Sequence, residues 1–120
     1  MTRFSGPPVC EGNWGNKFHA IRCYSALCGR NFDSRLECRR GEQLELANQS
    51  GAIQDLQYQV KFILCKEPRI SIVIDFSYLE KGQRVYEDTK GKMTAECRVK
   101  LAWLKEKYGI EVKIVRREDL

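Results

Sequence analysis

Two short stretches of this chain carry the residue types of one chemical site. Asp75 lies near the end of the apolar run Ile70-Ser71-Ile72-Val73-Ile74-Asp75-Phe76, and Asp88-Thr89-Lys90 follows some thirteen residues later. Side chains alternate faces along a strand, so Asp88 and Lys90, two apart, point the same way. The intervening Leu79-Glu80-Lys81-Gly82-Gln83 has the glycine and polar residues of a hairpin turn. Folding the second strand back on the first brings Asp75 opposite Asp88. Two carboxylates and an ammonium converging at a strand end suit a hard divalent cation, usually Mg²⁺. Such a site can bind phosphate and generate a hydroxide nucleophile beside it. The reaction class is metal-assisted phosphodiester hydrolysis.

The elements that must hold these residues are readable from periodicity. Leu56, Tyr58, Val60, Phe62 and Leu64 alternate with Gln57, Gln59, Lys61 and Ile63, which predicts a strand. Ile70 to Tyr78 repeats the pattern, with Asp75 on the row opposite Ile74 and Phe76, and Val85 to Lys90 supplies a third strand. Ahead of them, Ser34 to about Asn48 is rich in helix formers and starts with the capping-box sequence Ser34-Arg35-Leu36-Glu37. Gly41 within it permits close packing. After the third strand, Thr94 can cap a helix running to Tyr108, stopped by Gly109, and Ile110 to Val115 is a last strand. Lys17 to Cys23 and Gly29 to Phe32 read as short strands around a turn. The order is helix, three strands, helix, strand. A final strand reached through a helix requires a mixed sheet, and so an α/β fold with a mixed sheet flanked by helices.

At 120 residues the chain is one domain, and hydrophobic residues at 42% are enough for a core without disulfide staples. We expect a flexible N-terminal segment over 1–14, rich in glycine and proline, and a single domain over 15–120. No apolar run approaches the ~18 residues of a membrane helix, and the N-terminus has no signal-peptide core. The expectation is a cytoplasmic protein with no membrane partner. Of the six cysteines, Cys38, Cys65 and Cys97 fall at positions suited to small buried hydrophobes. Cys10, His19, Cys23 and Cys28 could together make a Cys₃His zinc site, but their spacing matches no tight zinc motif. Packing or exposed thiols is the preferred reading. The net charge of +5 is compatible with a polyanion without being diagnostic of one.

The arrangement resembles the PD-(D/E)xK nuclease superfamily, and within it a family of small phage-encoded proteins. The resemblance rests on Asn31-Phe32-Asp33-Ser34-Arg35-Leu36-Glu37, Leu56-Gln57-Tyr58-Gln59-Val60-Lys61-Phe62, Ile74-Asp75-Phe76, Glu87-Asp88-Thr89-Lys90-Gly91 and Lys107-Tyr108-Gly109-Ile110. It implies a restriction-endonuclease-like α-β-β-β-α-β core, with Asp75, Asp88 and Glu37 as ligands of Mg²⁺ or Mn²⁺. Lys90 would orient the attacking water or stabilise the transition state, and Gln59 would line the cleft. The residue before Asp75 is Ile in place of the family's Pro, and the segment from Ile21 to Cys28 has no counterpart in the family pattern.

The activity implied is that of a Mg²⁺-dependent DNA endonuclease, directed by DNA structure or context in phage recombination or replication. Arg35, Arg39, Lys61 and Lys92 would neutralise phosphates. A homodimer is left open, and a phage-encoded chain would work in the host cytoplasm. The alternative is a non-catalytic nucleic-acid-binding or regulatory protein on the same fold. Individual residues also have plainer roles. Glu37 can be the capping-box partner of Ser34, and Asp88 and Lys90 can be a cross-strand ion pair. Glu87 alternates away from Asp88 and reads as a surface residue, and Trp103 and Tyr108 read as core.

Overall fold

Two helices are cut out of this chain by their own end residues. A computed structural model describes residues 22–120 and places α1 at Arg35–Ser50 and α2 at Ala95–Tyr108. Ser34 Oγ accepts the Glu37 amide and Thr94 Oγ1 accepts the Cys97 amide, each at 3.1 Å. Each side chain satisfies a donor the first turn would otherwise leave open. Gly51 and Gly109 end the helices at φ 86° and 71°, left-handed backbone that disfavours a side chain. The expected segment 1–14, and the zinc-ligand candidates Cys10 and His19, lie outside the described residues.

Strands β1 (Cys23–Ser25) and β2 (Arg30–Phe32) form a small antiparallel hairpin of their own. The main sheet has strands β3 (Gln54–Cys65), β4 (Ile70–Glu80), β5 (Gln83–Thr89) and β6 (Val112–Val115), in that spatial order. The first three run antiparallel and β6 lies parallel to β5, because α2 carries the chain back to the starting end. The result is a mixed α/β fold, a four-stranded mixed sheet flanked by two helices in the expected order. No helix among the described residues is long and apolar enough to cross a membrane.

The β4–β5 turn sets the register on which the site depends. Lys81 and Gly82 have φ of 53° and 80°, the double positive φ that a two-residue turn between twisted strands needs. Pairing then runs from Glu80↔Gln83 to Phe76↔Glu87. One step further, Asp75 meets Asp88.

Alternate residues of β4 serve both helices. Phe76 and Tyr78 are buried with Phe32, Cys38, Leu44 and Ile53 beside α1, while Ile72 and Ile74 are buried with Leu64 and Leu104 of α2. Gly41 is where α1 meets the hairpin: a Cβ there would sit 2.7 Å from Cζ of Phe32. Close packing is the reason for glycine at that position.

Three expectations are corrected. Glu87 is fully buried, not on the surface. It pairs with Phe76, so it shares that residue's covered side, and it is made tolerable there by Arg40 of α1 and the Tyr78 hydroxyl. Tyr108 is 45% exposed at the end of α2, with its ring against Phe62 and its hydroxyl donating to the Ile63 carbonyl at 2.8 Å. Trp103 does pack against the Ile72–Leu104 cluster. Cys38 is buried as expected, whereas Cys65 and Cys97 are only partly so.

Candidate active site

Asp75 and Asp88 are joined by backbone as well as side chain. The Asp75 amide donates to Asp88 Oδ1 at 3.2 Å. Asp75 Oδ2 accepts from the Thr89 amide and the Thr89 hydroxyl, both at 2.9 Å. Lys90 Nζ sits 3.0 Å from Asp88 Oδ2. Its own amide donates to the Val115 carbonyl at 3.1 Å, so the edge strand β6 fixes where Lys90 leaves the sheet.

Glu37 arrives from the first turn of α1. Its amide serves the Ser34 cap, while its carboxylate takes the Gln59 side-chain amide at 2.9 Å. The Ser34 half of the capping box is present, but the Glu37 carboxylate turns to Gln59 and not back to the Ser34 amide. Gln59 lies between the pairs Tyr58↔Phe76 and Val60↔Ile74, across from Asp75. Its φ of 55° is left-handed, an unfavourable conformation for a residue with a side chain. Strained backbone of this kind persists where the surroundings over-determine it, and here it faces the carboxylates.

Crowding shows in the acidities. Burial, then the charges of Asp88 and Glu37, push the Asp75 carboxyl from its ordinary 3.8 to about 8, against the pull of the Thr89 amide. Burial and the Asp33 charge, with a smaller push from Asp88, raise Glu37 to about 7. Burial would lower Lys90, but the Asp88 carboxylate outweighs it and holds the ammonium charged. Asp75 therefore favours its protonated form at neutral pH, and Glu37 is balanced between its two forms.

Five of the expected residues thus come together: Asp75, Asp88, Lys90, Glu37 and Gln59. Arg35, Arg39 and Lys61 are exposed and outside this bonded network, the two arginines one helical turn apart on α1. Lys92 is exposed on the link between β5 and α2. Three contributors were not anticipated. Thr89, the middle residue of Asp88-Thr89-Lys90, steadies Asp75, while Arg40 and Tyr78 hold Glu87 on the neighbouring row. Arg40 binds both carboxylate oxygens of Glu87 at 2.8 Å. Burial works to raise Glu87, but those bonds, with the Tyr78 hydroxyl, keep it below the ordinary range.

The donor set suits a hard divalent cation in kind, since it is all carboxylate oxygen and its mutual repulsion is what a cation would relieve. As the side chains stand, no group of three or more His, Cys, Asp or Glu among the described residues is placed to hold a metal ion. Thr89 and Lys90 occupy oxygens that a cation would compete for.

No curated protein and no solved structure matches the chain. A family model described as a protein of unknown function does match, over residues 16–117. That span takes in every residue of the carboxylate cluster, and on it the chain belongs to the DUF1064 family of proteins of unknown function.

Proposed function

We propose that this protein is a Mg²⁺- or Mn²⁺-dependent DNA endonuclease with a restriction-endonuclease-like PD-(D/E)xK core. The observation that carries the reading is the meeting of Asp75, Asp88 and Lys90 at one strand end, with Glu37 in electrostatic reach. Acids pushed above their ordinary range by burial and by neighbouring carboxylates, as Asp75 and Glu37 are, cluster at functional sites. Asp75, Asp88 and Glu37 would hold the cation, which supplies Lewis-acid polarisation of the phosphate and acidity to water.

The chain's own residues do the rest. Lys90, fixed by its amide bond to β6, offers a permanent positive charge where negative charge develops on the phosphoryl oxygens. Gln59 keeps the Glu37 carboxylate turned into the cleft. Arg35, Arg39, Lys61 and Lys92 bind backbone phosphates, giving salt-dependent binding with little base readout. Structure- or context-directed cutting of phage recombination or replication intermediates is proposed by analogy of fold alone.

A second reading, a non-catalytic nucleic-acid-binding protein on the same fold, is favoured by one observation. The cluster satisfies itself, with Thr89 on Asp75 and Lys90 on Asp88. Incubation with supercoiled, linear, single-stranded and branched DNA, in Mg²⁺, Mn²⁺ or EDTA, separates the two. The nuclease reading expects cleavage of at least one substrate with cation, none in EDTA, and none by Asp75→Asn. DNA binding without cleavage in any arm would give the second reading the field.

A further inference from the structure

We propose that Cys23 and Cys38 form a redox-sensitive dithiol that closes to a disulfide, fastening the β1–β2 hairpin to the first turns of α1. Their sulfurs lie 3.0 Å apart, closer than two thiols packed only by van der Waals contact. A disulfide bond is ~2.05 Å, so closure asks for an approach of about 1 Å. The two residues come from different elements, Cys23 from the start of β1 and Cys38 from α1, fifteen positions apart. The hairpin strands are three residues each, and the hairpin meets α1 through side chains such as Ser25, whose hydroxyl donates to Glu42 at 2.6 Å. Such a small unit can shift the required distance.

The pair is also graded in access. Cys38 is 4% exposed, whereas Cys23 is only partly buried against the same cluster. Cys23 is therefore the entry point for an oxidant, here a low-molecular-weight disulfide of the glutathione class. The Cys23 sulfur loses its proton and attacks one sulfur of that disulfide, forming a mixed disulfide and expelling one small thiolate, which takes up a proton. The Cys38 sulfur, losing its own proton, then attacks Cys23 Sγ and expels the second small thiol. Two protein thiols are oxidised and one small disulfide is reduced to two thiols. The loop so closed contains the hairpin, the Ser34 cap and Glu37. Oxidation restrains the segment that brings Glu37 to the cleft, whatever chemistry the cleft performs.

The test uses the full chain, reduced and then equilibrated in glutathione buffers of graded oxidised-to-reduced ratio in metal-free solution. Thiols are blocked, and intact mass and a non-reducing peptide map are read. The expected product has lost two hydrogens, links the Cys23 and Cys38 peptides within one chain, melts at higher temperature, and reverts with dithiothreitol. Cys23→Ser should abolish the product and Cys28→Ser should leave it. Cys23 is partly buried, so its serine variant keeps the test alive where a change at buried Cys38 would disturb the core. Stable glutathione adducts alone, a link to Cys10 or Cys28, a link between chains, or no oxidation in the most oxidising buffer would each overturn the proposal.

Discussion

The Asp75 amide donates to Asp88 Oδ1 at 3.2 Å, so the backbone of one acid is tied to the carboxylate of the other. A like-charged pair locked in that way cannot relax by swinging apart. It relaxes by keeping a proton, by Lys90, or by a cation, and this makes the site's ionisation a measurable property of the fold.

With Asp75 raised to about 8 and Glu37 to about 7, the folded metal-free protein holds protons that the unfolded chain has already released. Where the folded state binds more protons, stability falls as pH rises. Melting temperature in EDTA should therefore decline between pH ~4 and ~8. Asp75→Asn, which mimics the protonated acid, should flatten that decline and melt higher than wild type at pH 8. Mg²⁺ at pH 8 should restore wild type and not the variant. A variant that melts well below wild type across this range would make Asp75 a structural residue.

Gly41→Ala tests the contact between α1 and the hairpin. Alanine favours helix by ~1 kcal/mol over glycine. The new methyl, however, would lie 2.7 Å from Phe32 Cζ and 3.0 Å from Cε1, against a ring that is itself buried in the core. Overpacking of this sort costs about 1–3 kcal/mol and should win. Urea unfolding should show a lower midpoint, whereas a midpoint above wild type would mean that Phe32 moves aside freely.

The pairing of Asp75 with Asp88 was legible because turn length and alternation together determine register. The same register contained a conclusion that alternation alone does not reach. If Asp75 faces Asp88, then Phe76 pairs with Glu87, and a core Phe76 implies a buried Glu87. The rescue of that charge leaves no mark in the sequence, since Arg40 and Glu87 stand 47 positions apart and meet only through the packing of α1 on the sheet. The left-handed φ of Gln59 was equally hidden, for glutamine carries no preference that announces it. The approach of Cys23 to Cys38 depended on where a three-residue strand begins, the kind of boundary that local pattern places poorly.

In the Arg40–Glu87 bridge the carboxylate is fully enclosed and the arginine side chain is 20% exposed. Removing the arginine alone strands the carboxylate, and breaking such a pair typically costs about 3–5 kcal/mol. Arg40→Met should destabilise on that scale, with Glu87→Gln in the same chain recovering much of the loss, because the buried charge is then gone. Denaturant midpoints of the two singles and the double give the coupling directly. Equal losses in the single and double variants would mean that Arg40 acts through packing of its stem.

Lys90 and the exposed arginines separate chemistry from binding. Lys90 is anchored through its amide to β6 and through its ammonium to Asp88. On the nuclease reading its charge would count most when the phosphoryl oxygens gain charge, so its contribution would belong to the transition state. Lys90→Ala should cut the cleavage rate by about 10²–10³, the scale seen for loss of one charge-stabilising donor, with little change in DNA affinity. On the nuclease reading Arg35 and Arg39, both exposed on α1, would meet ground-state phosphates. Arg35→Ala or Arg39→Ala should weaken binding and reduce the slope of log K against log salt by about 1 for each phosphate no longer neutralised. Turnover at saturating DNA should be kept. Filter binding across a salt series and single-turnover cleavage read the two effects apart. If Lys90→Ala cleaves like wild type, the Asp88–Lys90 contact is an ion pair of the strand end, and the nucleic-acid-binding reading becomes the better account of this fold.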